Sequence, residues 1–103
     1  MKEYDYFSVY DNCTYKIRVG ESAQENWDLI SDSSQNDIWF HVKGTSSCHV
    51  VLSAGGKYPH KSVIKYGAGL CKNGSKLKHY KNISIMYTEI KNVKKADVLG
   101  SVT

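Results

Sequence analysis

Two histidines carry the most chemistry in this chain of 103 residues: His41 closes the run DIWFH, and His49 stands in CHVVL. An imidazole titrates near neutrality, so two of them can share general acid–base work, grip one anion, or supply two ligands to a metal ion. Asp37 and Trp39 precede His41 at alternate positions and add a carboxylate and an aromatic plane on which a base could stack. The second chemical resource is charge. Residues 1–52 hold four lysines or arginines and eight acids, whereas residues 53–103 hold ten and two. Ten cations with two acids to neutralise them point to a polyanionic partner, nucleic acid ahead of a membrane surface.

Whether the histidines can cooperate depends on the elements that hold them. IWFHV and CHVVLS are β-rich runs separated by KGTSS, a five-residue loop suited to a hairpin. Pairing Val42 with Cys48 sets His41 opposite His49, Trp39 opposite Val51 and Asp37 opposite Ser53. Side chains alternate along a strand, so Asp37, Trp39, His41, His49 and Val51 share one face. Ile38, Phe40, Val42, Val50 and Leu52 take the other, which is core. Directly opposed residues have Cβ atoms about 5 Å apart, close enough for both imidazoles to meet one anion, water or metal.

The remaining elements follow from periodicity. EYDYFSVY and TYKIRV alternate around the turn signal of Asp11 and Asn12, which predicts an opening hairpin ended by Gly20. Ala23, Trp27 and Ile30 fall at helical spacing, predicting a short helix over about 22–30 with Trp27 as a core residue. Pro59 suits a first helical position, and Val63, Ile64, Gly67, Ala68, Leu70 and Cys71 mark one apolar face of a main helix over about 59–73. Lys61, Lys65 and Lys72 gather on its other side, with Lys76 just beyond. Gly67 and Gly69 weaken that helix, and close approach of its backbone to the sheet is a physical reason to keep them. NISIMYTEI predicts another strand, with Val93 in a short following one. The fold class is therefore α+β, a mainly antiparallel sheet with one main and one short helix, as a single domain over 1–103.

Several functions are poorly served by these residues. Three cysteines, Cys13, Cys48 and Cys71, form no CxxC pair, which fits reduced thiols and a reducing compartment, the cytoplasm first and the nucleus second. No apolar run is long enough to insert into a bilayer, and MKEYDYFSVY has no secretory character. A structural zinc site wants four ligands and a catalytic one three; Asp37 lies two rows from His41, and Cys48 points to the other face, so no metal or other cofactor is expected. A two-histidine phosphodiesterase would carry a Thr or Ser beside each histidine, whereas HVK and HVV stand here. Three readings of the histidine pair stay open: hydrogen-bonded scaffold of the hairpin, part of a binding surface, or hydrolytic centre.

The order VG (19–20), ENWDLI (25–30), DIWFHV (37–42), SSCHVVL (46–52), a lysine-bearing helix, MYTEIKNVKK (86–95) and LGSV (99–102) resembles the NFACT RNA-binding domain, NFACT-R, over about residues 14–102. ENWDLI, DIWFHV and SSCHV look most like the module of eukaryotic coiled-coil-domain proteins, which carry it without the NFACT amino-terminal domain, and a stand-alone copy is expected here. Glu21 and Ser22 depart from the Arg-Asn pair that many bacterial members carry after VG. The resemblance places the family motif on Gly20, Asn26, Asp37, Trp39, His41, Ser47 and His49, with Tyr87, Lys94 and Lys95 in the later segment. It implies RNA binding without catalysis, in the setting of ribosome quality control, where larger relatives engage tRNA and the large ribosomal subunit.

Taken together, these residues predict a non-enzymatic nucleic-acid-binding module whose partner is RNA (tRNA or rRNA) ahead of DNA. Lys61, Lys65, Lys72, Lys76, Lys78, Lys94 and Lys95 are the expected phosphate contacts. Trp39, His41 and His49 are expected to form or support the specific part of the site, and Gly20, Asn26, Asp37, Ser47 and Tyr87 to be motif or structural positions. The alternatives are a docking module for ribosome-associated proteins, in which the lysines only solubilise, and a histidine-dependent nucleotide hydrolase.

Overall fold

The computed structural model describes residues 1–44 and 47–95; the LGSV segment and two residues of the KGTSS loop lie outside them. The alternating runs at the start of the chain form β1 (Lys2–Ser8) and β2 (Cys13–Val19), paired antiparallel from Ser8–Cys13 to Lys2–Val19. Asn12 closes the turn at φ +52°, a left-handed conformation that asparagine tolerates better than most residues. Helix α1 (Ala23–Asp32) starts where Ser22 accepts from the Glu25 N–H, while the Glu25 carboxylate accepts from the Glu21 N–H, a variant of the capping box. It runs two residues past the expected end.

Strands β3 (Ile38–Val42), β4 (Val50–Ser53) and β5 (Ile85–Glu89) complete an antiparallel sheet of order β1-β2-β4-β3-β5. The hairpin has the expected register: Trp39 faces Val51, Phe40 faces Val50 and Ile38 faces Leu52. Its second strand is shorter than CHVVLS suggests, because the backbone of His49 is engaged elsewhere. Its carbonyl accepts from the Gly20 N–H at 2.9 Å, and its N–H donates to Asn26 Oδ1 at 3.3 Å. After β5, a 3-10 turn (Ile90–Asn92) replaces the expected short strand at Val93, held by the Ile90 N–H on the Asp37 carbonyl and the Lys91 N–H on that of Gln35.

The main helix α2 spans Lys61–Asn73. It starts two residues after Pro59, because His60 is its cap: the His60 Nδ1 accepts from the Ser62 N–H at 3.1 Å and satisfies a donor that the first turn leaves free. Val63, Ile64 and Cys71 of α2 pack on Tyr15, Ile17, Val19, Ile38, Phe40, Val42, Val50 and Leu52, the core on one side of the sheet. Gly67 permits this approach, since a β-carbon there would stand 2.6 and 2.8 Å from ring atoms of Phe40. Gly69 has no such role: a β-carbon would meet nothing within 4 Å.

A second, smaller core lies on the opposite side, where Leu29 of α1 packs with Trp39, Val51, Ile90 and Val93. Leu29, fully buried, is the contact that ties α1 to the sheet, worth about 1.5–3 kcal/mol by its size. Ala23 is exposed, and Trp27 and Ile30 are only half-buried, so the interior side of α1 is rotated from the one the spacing of those three predicts. No helix among the described residues is long and apolar enough to cross a membrane.

Candidate nucleic-acid interface

The histidine pair sits against α1, on the Trp39 side of the sheet. The rings of His41 and His49 lie 5.1 Å apart, edge to face, and Trp39 stacks on His41 at 5.5 Å with 10° between the planes. Trp39 Nε1 donates to His49 Nδ1 at 3.3 Å, which requires that nitrogen to be unprotonated. Burial pushes both imidazoles below their ordinary value; His49, with the neighbouring His41 adding to the effect, falls to about 4. The pair is thus neutral at physiological pH. His49 is only 2% exposed and has one nitrogen engaged by Trp39, whereas His41 is half-buried. His41 Nδ1 is buried with no hydrogen-bond partner. Among the described residues no three His, Cys, Asp or Glu side chains converge as a metal site would need.

Trp39 is 5% exposed and its plane is covered by His41, so it cannot serve as an open stacking surface. Its place is to support. Asp37 is equally interior. One carboxylate oxygen accepts from the Ala54 N–H at 3.2 Å and the other from the Ser34 N–H at 2.9 Å, tying the chain entering β3 to the chain leaving β4 rather than orienting His41.

Gly20, Asn26 and Ser47, distant in sequence, meet at one cleft of about 530 Å³ between the start of α1, the end of α2 and the segment before β4. Gly20 is compelled there, because a β-carbon would collide with the Asn26 side chain that holds the His49 backbone. Ser47 Oγ accepts from the Val42 N–H at 3.1 Å and donates to the Cys48 carbonyl at 3.0 Å. Cys48 and Cys71 exchange S–H···O contacts of 3.7 and 3.8 Å with each other's carbonyl, and the contact with Cys48, with burial, pushes the Cys71 thiol up. Lys2 and Lys76 stand at the rim. Glu21 at the same rim is engaged by the terminal amine at 3.4 Å and Lys2 at 3.9 Å.

The lysines divide between the two sides of the sheet. Lys61, Lys65 and Lys72 repeat at i, i+4 and i+11 on the outward side of α2, a helix without a single acid, and Lys76 carries the stripe to the cleft. Lys78 follows; it is exposed, as are Lys61, Lys65 and Lys76, while Lys72 is half-buried. The salt bridges among the described residues engage Lys2 and Lys91 but none of these five. Lys94 and Lys95 follow Val93 into the α1 layer instead; Lys95 donates to Ser31 Oγ and lies 5.6 Å from the Trp27 ring. The aromatic–histidine cluster and the lysine stripe therefore do not form one contiguous site. Tyr87, on β5, is exposed on the α2 side, its ring tilted against Phe40 at 5.9 Å.

Sequence reading missed the cleft, because its lining comes from four separate segments, around 2–4, 19–26, 47–48 and 70–76, that only the fold brings together. It also missed Asp11, which accepts from the His60 N–H at 2.9 Å, the Tyr15 hydroxyl at 2.9 Å and Ser8 Oγ at 3.2 Å. The bond from His60, first among these, holds the Asp11 carboxyl below its usual range.

Comparison with known proteins fits this arrangement. The family model described as NFACT protein RNA binding domain matches residues 3–102. Coiled-coil domain-containing protein 25 of Mus musculus is 38% identical over 96 residues, 85% of this chain and 45% of that protein. The Rqc2 homolog RqcH of Bacillus subtilis is 31% identical over 80 residues, 77% of this chain and 14% of the other. The chain thus spans less than half the length of these relatives. The C-terminal structure of the fibronectin/fibrinogen-binding protein from Streptococcus suis superposes with a TM-score of 0.84 at 26% identity, covering all of this chain and 41% of that one. With the family pattern running from β1 beyond the 3-10 turn, the chain belongs to the NFACT RNA-binding domain family.

Proposed function

We propose that this domain is a non-enzymatic RNA-binding module that grips phosphates with the outward lysine stripe of α2, Lys61, Lys65, Lys72 and Lys76, with Lys78 beyond it. The unneutralised stripe is the observation that carries the reading: three cations on one side of an acid-free helix and a fourth, Lys76, just past its end, all outside the described ion pairs. Regularly spaced ammonium groups suit a phosphate backbone, which supplies one charge per nucleotide without regard to sequence. Trp39 and His49 act beneath the surface, with half-buried His41 beside them, holding the β3–β4 hairpin and, through Asn26 and Gly20, the cleft at which the stripe ends. Lys94 and Lys95 contribute from the other side. The RNA is tRNA or rRNA and the setting ribosome quality control in the cytoplasm, a reading supported by the likeness to a protein named as an Rqc2 homolog.

Titration of a tRNA and of an unstructured RNA at several salt concentrations tests this. Affinity should fall with salt, by a log–log slope of about 0.7 per phosphate neutralised on a single strand. Reversing Lys61 and Lys65 together to glutamate should reduce that slope by about 1.4. Binding that ignores salt, or that the double reversal leaves intact, would remove the phosphate-contact reading.

A further inference from the structure

At the start of α2 the structure holds an aromatic surface. The turn between β1 and β2 lays Tyr10 flat on the ring of His60, with centroids 3.9 Å apart and 11° between planes. This is a built contact. The His60 N–H donates to the Asp11 carboxylate 49 positions earlier, and Asp11 is itself tied to Ser8 and Tyr15, so the turn is pinned to the helix cap. The His60 ring is fixed from its other end by Ser62, whose N–H donates to Nδ1 at 3.1 Å and whose hydroxyl is 2.9 Å from it. Tyr10 is nevertheless 69% exposed: one face covers His60 and the other is open to solvent. Tyr58, also 69% exposed, and exposed Lys57 and Lys61 flank His60 in the chain, and Lys61 opens the lysine stripe.

A large planar side chain kept outside the core, yet immobilised by a stack and a hydrogen-bonded hub, has lost most of the conformational freedom that binding would otherwise remove. We infer that the open face of Tyr10, backed by His60, is a stacking platform for one unpaired nucleobase of an RNA whose adjoining phosphates lie on Lys61 and Lys65. This rests on the RNA-binding reading above and sharpens it, because it selects a strand with an unstacked base, a loop or a single-stranded end, over continuous duplex. Duplex bases present no free π-face, whereas splayed bases are recognised by stacking on aromatic rings.

The test uses fluorescently labelled single-stranded RNA of about twelve nucleotides, the same strand with one abasic position placed successively along it, and a blunt duplex of equal length. Tyr10→Ala removes the platform but no core contact and should weaken single-strand binding roughly 5- to 150-fold, the range of one aromatic–base stack. Tyr10→Trp should restore it. For the unmodified protein, the abasic strand at the critical position should bind as poorly as the intact strand binds Tyr10→Ala, and combining both changes should cost little more. Duplex affinity should be indifferent to Tyr10. If Tyr10→Ala binds the single strand as tightly as the unmodified chain while the Lys61/Lys65 reversal abolishes binding, the platform is overturned and the phosphate reading stands. If the unmodified chain binds neither RNA, both fail. The abasic series needs no protein variant, so it decides the matter even if a substitution perturbs folding.

Discussion

At the scale of single residues, the histidines that looked most like chemistry are engaged in holding the structure. His49 is held neutral by burial, first, and by the neighbouring His41, with its pKa lowered to about 4 from 6.5. A base whose folded pKa is depressed contributes stability in full above its unfolded value and loses it as pH falls toward the folded one. Keeping His49 neutral should therefore make the domain lose about 3 kcal/mol between pH 6.5 and pH 4, with His41 adding in the same direction. Urea midpoints across that window measure it, and His49→Gln should flatten the curve. Asn26 is the companion case. Its Oδ1 accepts the His49 N–H in a part-buried setting, and Asn26→Ala should cost about 1–3 kcal/mol by leaving that donor unpaired.

At the scale of elements, α2 shows how one residue type takes opposite meanings within a turn. Gly67 faces Phe40, where an added methyl would enter van der Waals overlap with a fully buried ring, so Gly67→Ala should destabilise by about 1–3 kcal/mol despite better helix propensity. Gly69 faces open space, and Gly69→Ala should stabilise by up to about 1 kcal/mol. Melting temperatures moving in opposite directions would bear this out; parallel shifts would mean that the helix sits differently on the sheet. The same close approach fixes which side of α2 looks outward, and so aims Lys61, Lys65 and Lys72 at solvent.

At the scale of the whole molecule, the sheet is a partition. One layer holds α2 and its lysines; the other holds α1, the histidine pair and the chain that leads to Lys95. An RNA lying along α2 approaches the first layer, so reversal of Lys94 and Lys95 to glutamate should lower affinity less than reversal of Lys61 and Lys65, although the change in net charge is equal. Side-by-side titration of the two double variants at fixed salt distinguishes contact from overall charge, which would make them equivalent.

What the sequence by itself determined is what depends on neighbours along the chain. The period-2 runs and turn residues specified the hairpins and the Trp39–Val51 register, and the period-3.6 pattern specified α2, its apolar side and its lysine stripe, because backbone geometry alone orients such side chains. The NFACT-R motif was legible for the same reason, as a string of short local pieces. Only the tertiary structure decided what those pieces face. Trp39 alternates with the core residues and so reads as an outward plane, but α1 folds over it; nothing in IWFHV records that Leu29 arrives there. His60 caps α2 through Ser62, two residues on, but its bond to Asp11, 49 positions away, and its stack on Tyr10 join segments that are far apart in the chain. Burial and long-range hydrogen bonds belong to pairs of distant segments, and the order of residues specifies them only through the fold.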